Sequence, residues 1–321
     1  MIGVISAVVA SCDMNSPCAL IGLDWGTTSF RAYRLGADGG VIEHRSAPRG
    51  ILKVPAGGFE RVFEREVGPW LAEQPEAPVI ACGMITSRQG WVEVPYRPCP
   101  AGSAEIAGAL VRHDTDAGRT IHFVPGLSFV GADGVPDVIR GEETQIIGEV
   151  GAAPGQRLLV LPGTHSKWAL VEDGRLTWFA TFMTGELFGV LKEHSILGRL
   201  MAGQTDDEKA FRRGLAYGRS RPGGLLKRLF SVRTLGLFGR LSASAAAAYL
   251  SGLLIGSEVA EALDCLEQAP AGREITVIGG SDLTDRYLLA IADAGLRARR
   301  AVPEAAARGL FLIARAAGLM R

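Results

Sequence analysis

The sequence has no excess of charge of either sign. Its 321 residues contain 34 Lys and Arg residues against 34 Asp and Glu residues, which gives a formal net charge of zero. A polybasic surface that binds nucleic acid through phosphate contacts is therefore not expected. Hydrophobic residues make up 47% of the chain, enough to bury a core that offsets the conformational entropy. The composition thus predicts a globular protein with no nucleic-acid partner.

Cysteine is scarce, and its spacing has no pattern. There are five cysteines, an odd number without a Cys-x-x-Cys pair: Cys12, Cys18, Cys82, Cys99 and Cys265. Such spacing predicts neither a disulfide framework nor a zinc site. We therefore expect a protein of the reducing cytoplasm.

Long apolar runs are also missing. A membrane helix needs about 18 consecutive apolar residues, whereas the richest stretch, 243–254, is interrupted by Ser251 and Gly252. The N-terminal apolar run is only about ten residues long and no positive charge precedes it, so an export signal is not predicted. We expect residues 1–18 to be a disordered extension, and Met14 is an alternative start that leaves the status of residues 1–13 open. No membrane partner is predicted.

Length and glycine content indicate how the chain is organised. A chain of 321 residues predicts two domains or one large α/β unit. Its 42 glycines are roughly double the average usage, which suggests tight turns and close approach of the backbone to a ligand. We predict an N-terminal domain over 19–150, a C-terminal domain over 151–302, and a helix over 303–321 that packs back on the N-terminal domain.

Hydrophobic periodicity and turn residues predict the secondary structure. Asp137 is a candidate N-cap, Gly151 a candidate C-terminal stop, and Pro303 suits the first position of the last helix. Strands are predicted over 20–24, 30–35, 41–45, 79–82, 158–161, 166–171, 175–181 and 275–278. Helices are predicted over 59–71, 137–150, 185–194, 206–217, 223–235 and 242–266, from 282 onward, and over 303–317.

The second half of the chain repeats the pattern of the first. In each half a buried strand leads into a Gly-Thr turn, a second strand, an Asp-Gly turn and a third strand. Placing Gly26 on Gly163 gives an offset of nearly half the chain, which is far too long for a solenoid repeat. We interpret the echo as two related domains. Two unrelated hairpins that share Gly-Thr by chance are the alternative.

Both Gly-Thr turns have the chemistry of phosphate sites. Glycine lets backbone N–H groups approach an anion, and the threonine hydroxyls add donors. Asp24, at the end of the first buried strand, can hold Mg²⁺ directly or through water. The predicted phosphate-binding residues are Gly26, Thr27, Thr28, Gly163 and Thr164.

A third glycine turn lies late in the chain. Gly279, Gly280 and Ser281 follow a buried strand and precede a helix. The backbone there can pack against the flat face of adenine, because glycine has no side chain to keep the ring away. A plain strand-to-helix turn is the alternative. Together with the two Gly-Thr turns, this turn indicates a site for a nucleoside triphosphate.

These motifs together resemble a known superfamily. Residues 24–31 (DWGTTSFR), the second hairpin and residues 278–280 (IGG) look like the phosphate-1, phosphate-2 and adenosine motifs of the sugar kinase/Hsp70/actin superfamily. The resemblance runs from about residue 19 to the C-terminus. Three stretches are similar to the 2-dehydro-3-deoxygalactonokinase family within it: 83–91 (GMITSRQGW), 139–145 (IRGEETQ) and 161–168 (LPGTHSKW).

The resemblance implies a fold and an activity. The implied fold is α/β, a two-domain actin-like (ribonuclease H-like) ATPase fold with an interdomain nucleotide cleft. The implied activity is phosphorylation of 2-dehydro-3-deoxy-D-galactonate at its 6-hydroxyl, with ATP and Mg²⁺ as cofactors, in galactonate breakdown. The implied partners are the small sugar acid and ATP. A homodimer and the stereochemistry at C4 of the sugar are left open.

The second hairpin departs from the wider superfamily at one position. That hairpin often begins with Asp in the superfamily, whereas Pro162 stands there in this chain. Metal binding should therefore rest mainly on Asp24, with Lys167 and His165 supplying charge at the second turn. The alternatives are a solvated strand residue for Lys167 and a structural hydrogen bond for His165.

A kinase of this type needs a carboxylate base near the attacking hydroxyl. The candidates are Glu142 and Glu143, near a helix start where the dipole favours a carboxylate. Adjacent helical positions point about 100° apart, so only one is expected to face the substrate. We expect Glu142 to matter more, and simple enrichment of acids at a helix start is the alternative. The stretch is also similar to a Gly-Glu-Glu segment of exopolyphosphatases, which supports the position but weakens the substrate inference.

The substrate implied by the resemblance is a 2-keto acid, whose carboxylate needs cationic partners. Arg88 and Arg140 lie in the two family-like stretches and offer bidentate forks. Trp91 can wall a sugar pocket. Ordinary surface arginines and a core tryptophan are the alternatives.

Two other function classes stay open. An exopolyphosphatase-like phosphohydrolase on the same fold would transfer phosphate to water and would need a basic channel, which the neutral composition does not favour. A non-catalytic nucleotide-dependent clamp or sugar sensor would need a further substrate or DNA-binding domain, for which the sequence shows no segment.

Overall fold

The structure is a computed structural model of the chain. Except for Cys18, the predicted extension over 1–18 lies outside the described residues, as does the predicted helix start at residue 206. The described residues are 18–203, 207–220, 222–266 and 274–320.

The chain divides into two compact units. Unit 1 comprises the described residues up to Ser128, then Val138–Gly151, and the described residues from Glu304 onward. Unit 2 comprises Phe129–Asp137 and Ala152–Pro303. The last segment of the chain therefore belongs to the unit formed by the first.

Both units contain strands and helices. Up to Gly151 the elements are β1 (Leu20–Trp25), β2 (Phe30–Leu35), β3 (Val41–Ala47), α1 (Phe59–Glu73), β4 (Val79–Cys82), β5 (Arg97–Pro98), α2 (Ser103–Ala107), β6 (Val111–Asp114), β7 (Thr120–Phe123), β8 (Leu127–Val130), β9 (Pro136–Ile139) and α3 (Glu142–Val150). From Ala152 they are β10 (Gln156–Leu161), β11 (Ser166–Glu172), β12 (Arg175–Phe182), α4 (Thr184–His194), α5 (Glu208–Arg219), α6 (Leu225–Leu229), α7 (Ser231–Leu237), α8 (Ala246–Cys265), β13 (Glu274–Val277), α9 (Ser281–Asp293) and β14 (Arg297–Arg300), followed by α10 (Ala305–Ala316) in unit 1. Short 3-10 turns lie at Ile51–Lys53, Met84–Thr86 and Gly198–Leu200.

The central strand of unit 1 carries the first candidate site residue. The sheet order is β3-β2-β1-β4-β7-β6, with β1 antiparallel to β2 and parallel to β4. Every residue of β1 is buried, as expected for a near-continuous apolar run in the middle of a sheet. Asp24 near its end is paired with Arg31 on β2 and with Cys82 on β4. Phe63 and Val67 of α1 belong to the same apolar core.

The sheet of unit 2 has the same plan. Its order is β12-β11-β10-β13-β14, and β10 is antiparallel to β11 and parallel to β13, as β1 is to β2 and β4. In both units the Gly-Thr turn joins the central strand to its antiparallel neighbour. The predicted internal repeat is therefore confirmed by the strand order.

Helix α8 forms the centre of the unit 2 core. It is long and apolar enough to pass a length and hydropathy test for a membrane span, but 83% of that window is buried inside the fold, where a core helix lies. Helix α5 packs along it at glycines: a Cβ at Gly252 would lie 2.0 Å from the Phe211 carbonyl oxygen, and one at Gly214 2.1 Å from the Tyr249 oxygen. Part of the glycine excess therefore serves helix packing.

Three predicted helices differ from the structure. The helix predicted over 137–150 begins only at Glu142, because Gly141 has a φ of 106° and β9 precedes it. Asp137 is not its N-cap; its carboxylate accepts hydrogen bonds from the Thr181 backbone N–H at 2.7 Å and the Thr181 hydroxyl at 2.8 Å. The helix predicted over 223–235 is two helices, α6 and α7. Pro303 is not at the first position of α10, which begins at Ala305.

Candidate active site

The first Gly-Thr turn is held in a closed shape by backbone contacts. The Gly26 N–H donates to the Ser29 carbonyl oxygen at 2.9 Å, while the side chains of Thr27 and Thr28 are exposed. Gly50 packs against this turn, because a Cβ at that position would lie 2.2 Å from the Thr27 carbonyl oxygen. The turn thus uses the Gly26 N–H internally, leaves Thr27 and Thr28 exposed, and requires glycine behind it.

Asp24 is a buried carboxylate that forms an ion pair with Arg31. Its Oδ2 atom lies 3.1 Å from the Arg31 Nη1 atom, yet burial outweighs the arginine and raises the pKa of the Asp24 carboxyl. Among the residues that the structure describes, no group of three or more His, Cys, Asp or Glu side chains could hold a metal ion. Mg²⁺ is commonly held by one or two carboxylates together with nucleotide phosphates. Asp24, whose burial is only partly compensated by Arg31, fits the role of such a carboxylate.

The start of α3 lies beside the end of β4, next to Asp24. Gly83 and Gly141 have φ values of 93° and 106°, and a Cβ at Gly141 would lie 3.1 Å from the Gly83 Cα atom. After desolvation by burial, the charges of Asp24 and Glu143 are the next causes that raise the pKa of the Cys82 thiol. The structure therefore brings Asp24 and Glu143 to one buried thiol.

The two glutamates have different environments. The carboxylate of Glu143 accepts hydrogen bonds from the Gly141 N–H at 2.6 Å and the Thr144 hydroxyl at 2.9 Å, and the residue is only 1% exposed. Burial, followed by the neighbouring charge of Glu142, raises the pKa of Glu143 to about 7. Glu142 is half-buried, and its Oε2 atom accepts a hydrogen bond from the Arg140 N–H at 2.9 Å. Only Glu142 is accessible to a substrate hydroxyl.

Arg140 is engaged by its own unit. Its Nη1 atom donates to the Thr86 carbonyl and hydroxyl oxygens, both at 2.6 Å, and its Nη2 atom donates to the Val94 carbonyl oxygen at 2.9 Å. The guanidinium carbon also lies 4.2 Å from the centre of the Tyr96 ring. These contacts tie the segment 86–96 to the start of α3.

Arg88 and Trp91 lie on that segment in different environments. Arg88 is exposed, so its guanidinium is accessible to a carboxylate. The Trp91 ring is packed at 5.3 to 6.4 Å from four other rings, those of Phe59, Phe63, His113 and Phe123. The contacts give Trp91 a packing role.

The second Gly-Thr turn has the same support as the first. Thr164 is exposed, and its carbonyl oxygen accepts a hydrogen bond from the Glu186 N–H at 2.9 Å. Gly185, in the first turn of α4, packs against the hairpin: a Cβ there would lie 2.3 Å from the Gly163 carbonyl oxygen. Close approach thus requires glycine at 185.

Two charged residues flank the second turn. Lys167 is 6% exposed and its Nζ atom lies 3.3 Å from the His165 carbonyl oxygen, so the solvated-strand alternative is wrong. The His165 Nε2 atom lies 2.5 Å from the Glu186 Oε2 atom, which agrees with the structural alternative for that histidine.

A cavity of about 310 Å³ lies within unit 2 beside this turn. Gly279 and Gly280 are exposed and lead into α9, which contributes part of the wall. The Arg286 Nη1 atom donates to the Ser251 hydroxyl at 3.1 Å. Residues lining the cavity include Gly163, Thr184, Gly185, Asp282, Arg286 and Tyr287.

Several residues of the site were not predicted from the sequence. Gly50 and Gly185 each follow their Gly-Thr turn by roughly two dozen residues, and this second echo between the halves is a signal that the sequence does carry. Nothing in the sequence marks the positive φ values of Gly83 and Gly141. Arg286 lies on an ordinary helical pattern, so its position beside the cavity follows only from the packing.

Most of this chain is similar in sequence to known proteins. Residues 24–313 match the 2-keto-3-deoxy-galactonokinase family. A 2-dehydro-3-deoxygalactonokinase of Rhizobium meliloti strain 1021 is 38% identical over 303 residues, which cover 92% of this chain and 96% of the relative. The 2-dehydro-3-deoxygalactonokinase of Escherichia coli K12 is 37% identical over 267 residues, 83% of this chain and 87% of that one.

A solved structure supports the fold at the same level. A crystal structure assigned to a 2-dehydro-3-deoxygalactonokinase protein from Sinorhizobium meliloti is 37% identical, with a TM-score of 0.83 over 92% of this chain and 98% of that chain. The predicted α/β actin-like fold and the predicted sugar-acid kinase are confirmed, and the phosphohydrolase and clamp or sensor alternatives have no support. The chain belongs to the 2-keto-3-deoxy-galactonokinase family.

Proposed function

We propose that this protein transfers the γ-phosphoryl group of ATP to the 6-hydroxyl of 2-dehydro-3-deoxy-D-galactonate. Its relatives at 37% and 38% identity are named as kinases of that sugar acid. The observation that carries the proposal is the approach of Asp24 and Glu143 to one point of unit 1, around Cys82, with Glu142 adjacent to Glu143 at the start of α3. A kinase needs a cation-binding carboxylate and a base in one site.

In this proposal, the second Gly-Thr turn and the cavity of unit 2 bind ATP, and the first Gly-Thr turn is a phosphate-binding element of unit 1. The N–H and hydroxyl groups of the turns contact phosphate oxygens, and the buried Lys167 ammonium adds positive charge. The cavity beside Gly279, Gly280 and Ser281 takes the adenosine, and its volume of about 310 Å³ is at the lower end of the range for small-molecule pockets.

Asp24 is proposed to hold Mg²⁺. When bound, Mg²⁺ neutralises charge on the transferring phosphate and its leaving group. The contribution of this chain is a carboxylate placed at the end of a buried strand, with Arg31 as its partner at 3.1 Å. The remaining ligands would be phosphate oxygens and water.

Glu142 is proposed as the general base. A base must come within hydrogen-bond reach of the proton that it removes, and Glu142 is the accessible member of the pair. Glu143 then acts as a positioning residue, because its hydrogen bond to the Gly141 N–H fixes the start of α3. The proton of the 6-hydroxyl moves to a Glu142 carboxylate oxygen as the bond between O6 and the γ-phosphorus forms, while the bond from that phosphorus to the β–γ bridging oxygen breaks and ADP leaves.

Arg88 is proposed to pair with the carboxylate of the sugar acid, since its exposed guanidinium can offer two parallel N–H donors. Arg140 is proposed to hold in place the segment that carries Arg88, because its Nη atoms donate to Thr86 and Val94. Contact of Arg140 or Trp91 with the sugar, a cytoplasmic location and a homodimer remain predictions.

The reaction is tested by measuring ADP release with a panel of acceptors. The panel contains 2-dehydro-3-deoxy-D-galactonate, its C4 epimer, polyphosphate and water alone, and phosphorus NMR identifies the phosphorylated oxygen. We expect the galactonate derivative to give the highest kcat/KM and a phosphate ester coupled to the C6 protons. ADP release that is independent of the acceptor would contradict the proposal.

A further inference from the structure

One buried carboxylate in unit 2 has no part in the proposed chemistry. Glu258 on α8 is 2% exposed. Its Oε1 atom accepts hydrogen bonds from the Ser166 hydroxyl at 2.7 Å and the Trp168 indole N–H at 2.8 Å, and its Oε2 atom accepts from the Tyr287 hydroxyl at 2.5 Å. The Thr184 side chain donates to it as well. One side chain thus collects donors from three separate segments.

Those segments are the ones that form the proposed nucleotide site. Ser166 and Trp168 lie on β11, which begins directly after the second Gly-Thr turn. Thr184 is the first residue of α4 and lines the cavity. Tyr287 also lines the cavity, on the helix that follows Gly279 and Gly280. Glu258 itself is not among the residues lining the cavity.

Burying the Glu258 carboxyl costs free energy, and core packing alone gives no reason for a carboxyl at this position. Burial raises the pKa of the Glu258 carboxyl despite its donors, so ionisation in this position is unfavourable. Replacing a buried charge by a well-packed apolar side chain is often neutral or stabilising. A fully connected polar network does, however, select one arrangement of its members, because any other arrangement leaves buried donors unpaired.

We propose that Glu258 is a positioning residue for the nucleotide: it holds the second Gly-Thr turn, the start of α4 and α9 in the arrangement that binds ATP. This role rests on the proposed assignment of ATP to unit 2. Replacing one of its acceptor oxygens should loosen the three segments together. Nucleotide affinity should then fall, while the groups of unit 1 that contact the sugar acid stay unchanged.

The test compares two variants of the network with a matched control in the same core. Glu258→Gln keeps the shape but brings an amide N–H₂ group against the donors. Tyr287→Phe removes one donor and keeps the ring. The control is Tyr249→Phe, also on α8 and 2% exposed, whose hydroxyl lies 2.9 Å from the Ser231 hydroxyl instead.

Calorimetry with ADP gives the Kd, and steady-state kinetics give separate KM values for ATP and for the sugar acid. We expect Glu258→Gln to raise the Kd for ADP and the KM for ATP at least about fivefold, because buried donors are left unpaired. Tyr287→Phe should have a smaller effect in the same direction. The KM for the sugar acid should stay within about twofold, and Tyr249→Phe should leave all three constants within about twofold.

The NMR signal of the Trp168 indole N–H reports on the hydrogen-bond network itself, and loss of core packing alone should not change its response to ADP. Its nitrogen-correlated NMR signal, assigned by its absence in Trp168→Phe, should shift when ADP binds to the wild-type protein. The shift should be reduced in Tyr287→Phe, which keeps the ring and tests the same network if Glu258→Gln does not fold. Equal effects of Tyr287→Phe and Tyr249→Phe on ADP affinity would overturn the positioning role alone. Wild-type protein that binds no ADP would overturn the proposed function and this role with it.

Discussion

The two adjacent glutamates at the start of α3 have the same side chain but differ in their exposure to solvent. Glu142 is half-buried, whereas Glu143 is 1% exposed and has both oxygens hydrogen-bonded. We expect Glu142→Gln to lower kcat about 10²–10⁴-fold with a much smaller change in KM, because a general base acts in the transition state. Glu143→Gln should be milder. Kinetics on both variants decide the matter, and the reverse order would make Glu143 the base.

The burial of Glu143 also predicts a pH dependence of stability. Its pKa of about 7 lies above the ordinary 4.5, so the folded state binds more protons than the unfolded state between these values. Stability from this group is therefore present at low pH and is lost as the pH rises from about 4.5 to about 7, by roughly 3 kcal/mol in total.

Glu143→Gln should remove this dependence. We expect the free energy of unfolding of the variant, relative to that of wild type, to become larger by about 2–3 kcal/mol between pH 5 and pH 8, so that the variant gains relative stability. Urea unfolding at the two pH values measures the difference. The exposed Glu76 provides the control variant Glu76→Gln, which should show no such change. A pH-independent difference for Glu143→Gln would mean that the carboxyl does not carry the proton.

Asp24 gives a third test at the scale of one residue. Asp24→Asn keeps the size of the side chain but removes the charge that would compensate a cation, so most phosphoryl transfer should be lost while the fold is kept. Activity at saturating Mg²⁺ and circular dichroism measure the two parts. Turnover within about twofold of wild type would remove Asp24 from the proposed metal site.

Among the elements, the eight predicted strands are present close to their predicted bounds, whereas β5 to β9 and β14 were not predicted and several helix starts were wrong. The bounds of β2 and β4 agree with the predicted 30–35 and 79–82, because buried strands flanked by turn residues have a clear local signal. The helix predicted over 137–150 started too early because a tertiary partner, Thr181, takes the Asp137 carboxylate. Such a partner lies far away in the sequence and leaves no local trace.

The candidate site shows the same division between local and tertiary information. The Gly-Thr turns and the glutamate pair are contiguous motifs, so their residue types could be identified from the sequence. That Arg140 is turned toward Thr86, Val94 and Tyr96 depends on how the 86–96 segment folds. The sequence therefore predicted which residues belong to the site more reliably than what each one contacts.

Helix α4 contains a matched pair of glycines for testing its support of the second turn. A Cβ at Gly185 would lie 2.3 Å from the Gly163 carbonyl oxygen, whereas one at Gly189 would meet nothing within 4 Å. Gly185→Ala should displace the turn and raise the KM for ATP severalfold. Gly189→Ala should leave the KM unchanged and stabilise the protein by about 0.5–1 kcal/mol. Equal KM values for both variants would contradict the role of the close approach.

On the scale of the whole molecule, unit 1 is assembled from segments far apart in the chain. Helix α10 packs on α3 at glycines: a Cβ at Gly309 would lie 1.8 Å from the Thr144 carbonyl oxygen. Gly309→Ala should therefore push α10 away from the helix that carries Glu142, and lower both kcat and the midpoint of thermal unfolding. The control is Gly68→Ala, where a Cβ would meet only the mobile end of Glu64. A change in neither quantity for Gly309→Ala would show that α3 does not depend on this contact.

The return of α10 to unit 1 has a consequence during synthesis on the ribosome. Domains usually fold as the chain emerges, the N-terminal one first. Here β1 and α3 emerge early, but the helix that covers them follows unit 2 in the sequence. Unit 2 is thus the first unit whose described elements have all emerged, and the start of α3 acquires its final packing only after residues 305–316 have left the ribosome. A nascent chain interrupted before that point would leave exposed to solvent the apolar residues of β1 and α3 that α10 covers in the folded protein.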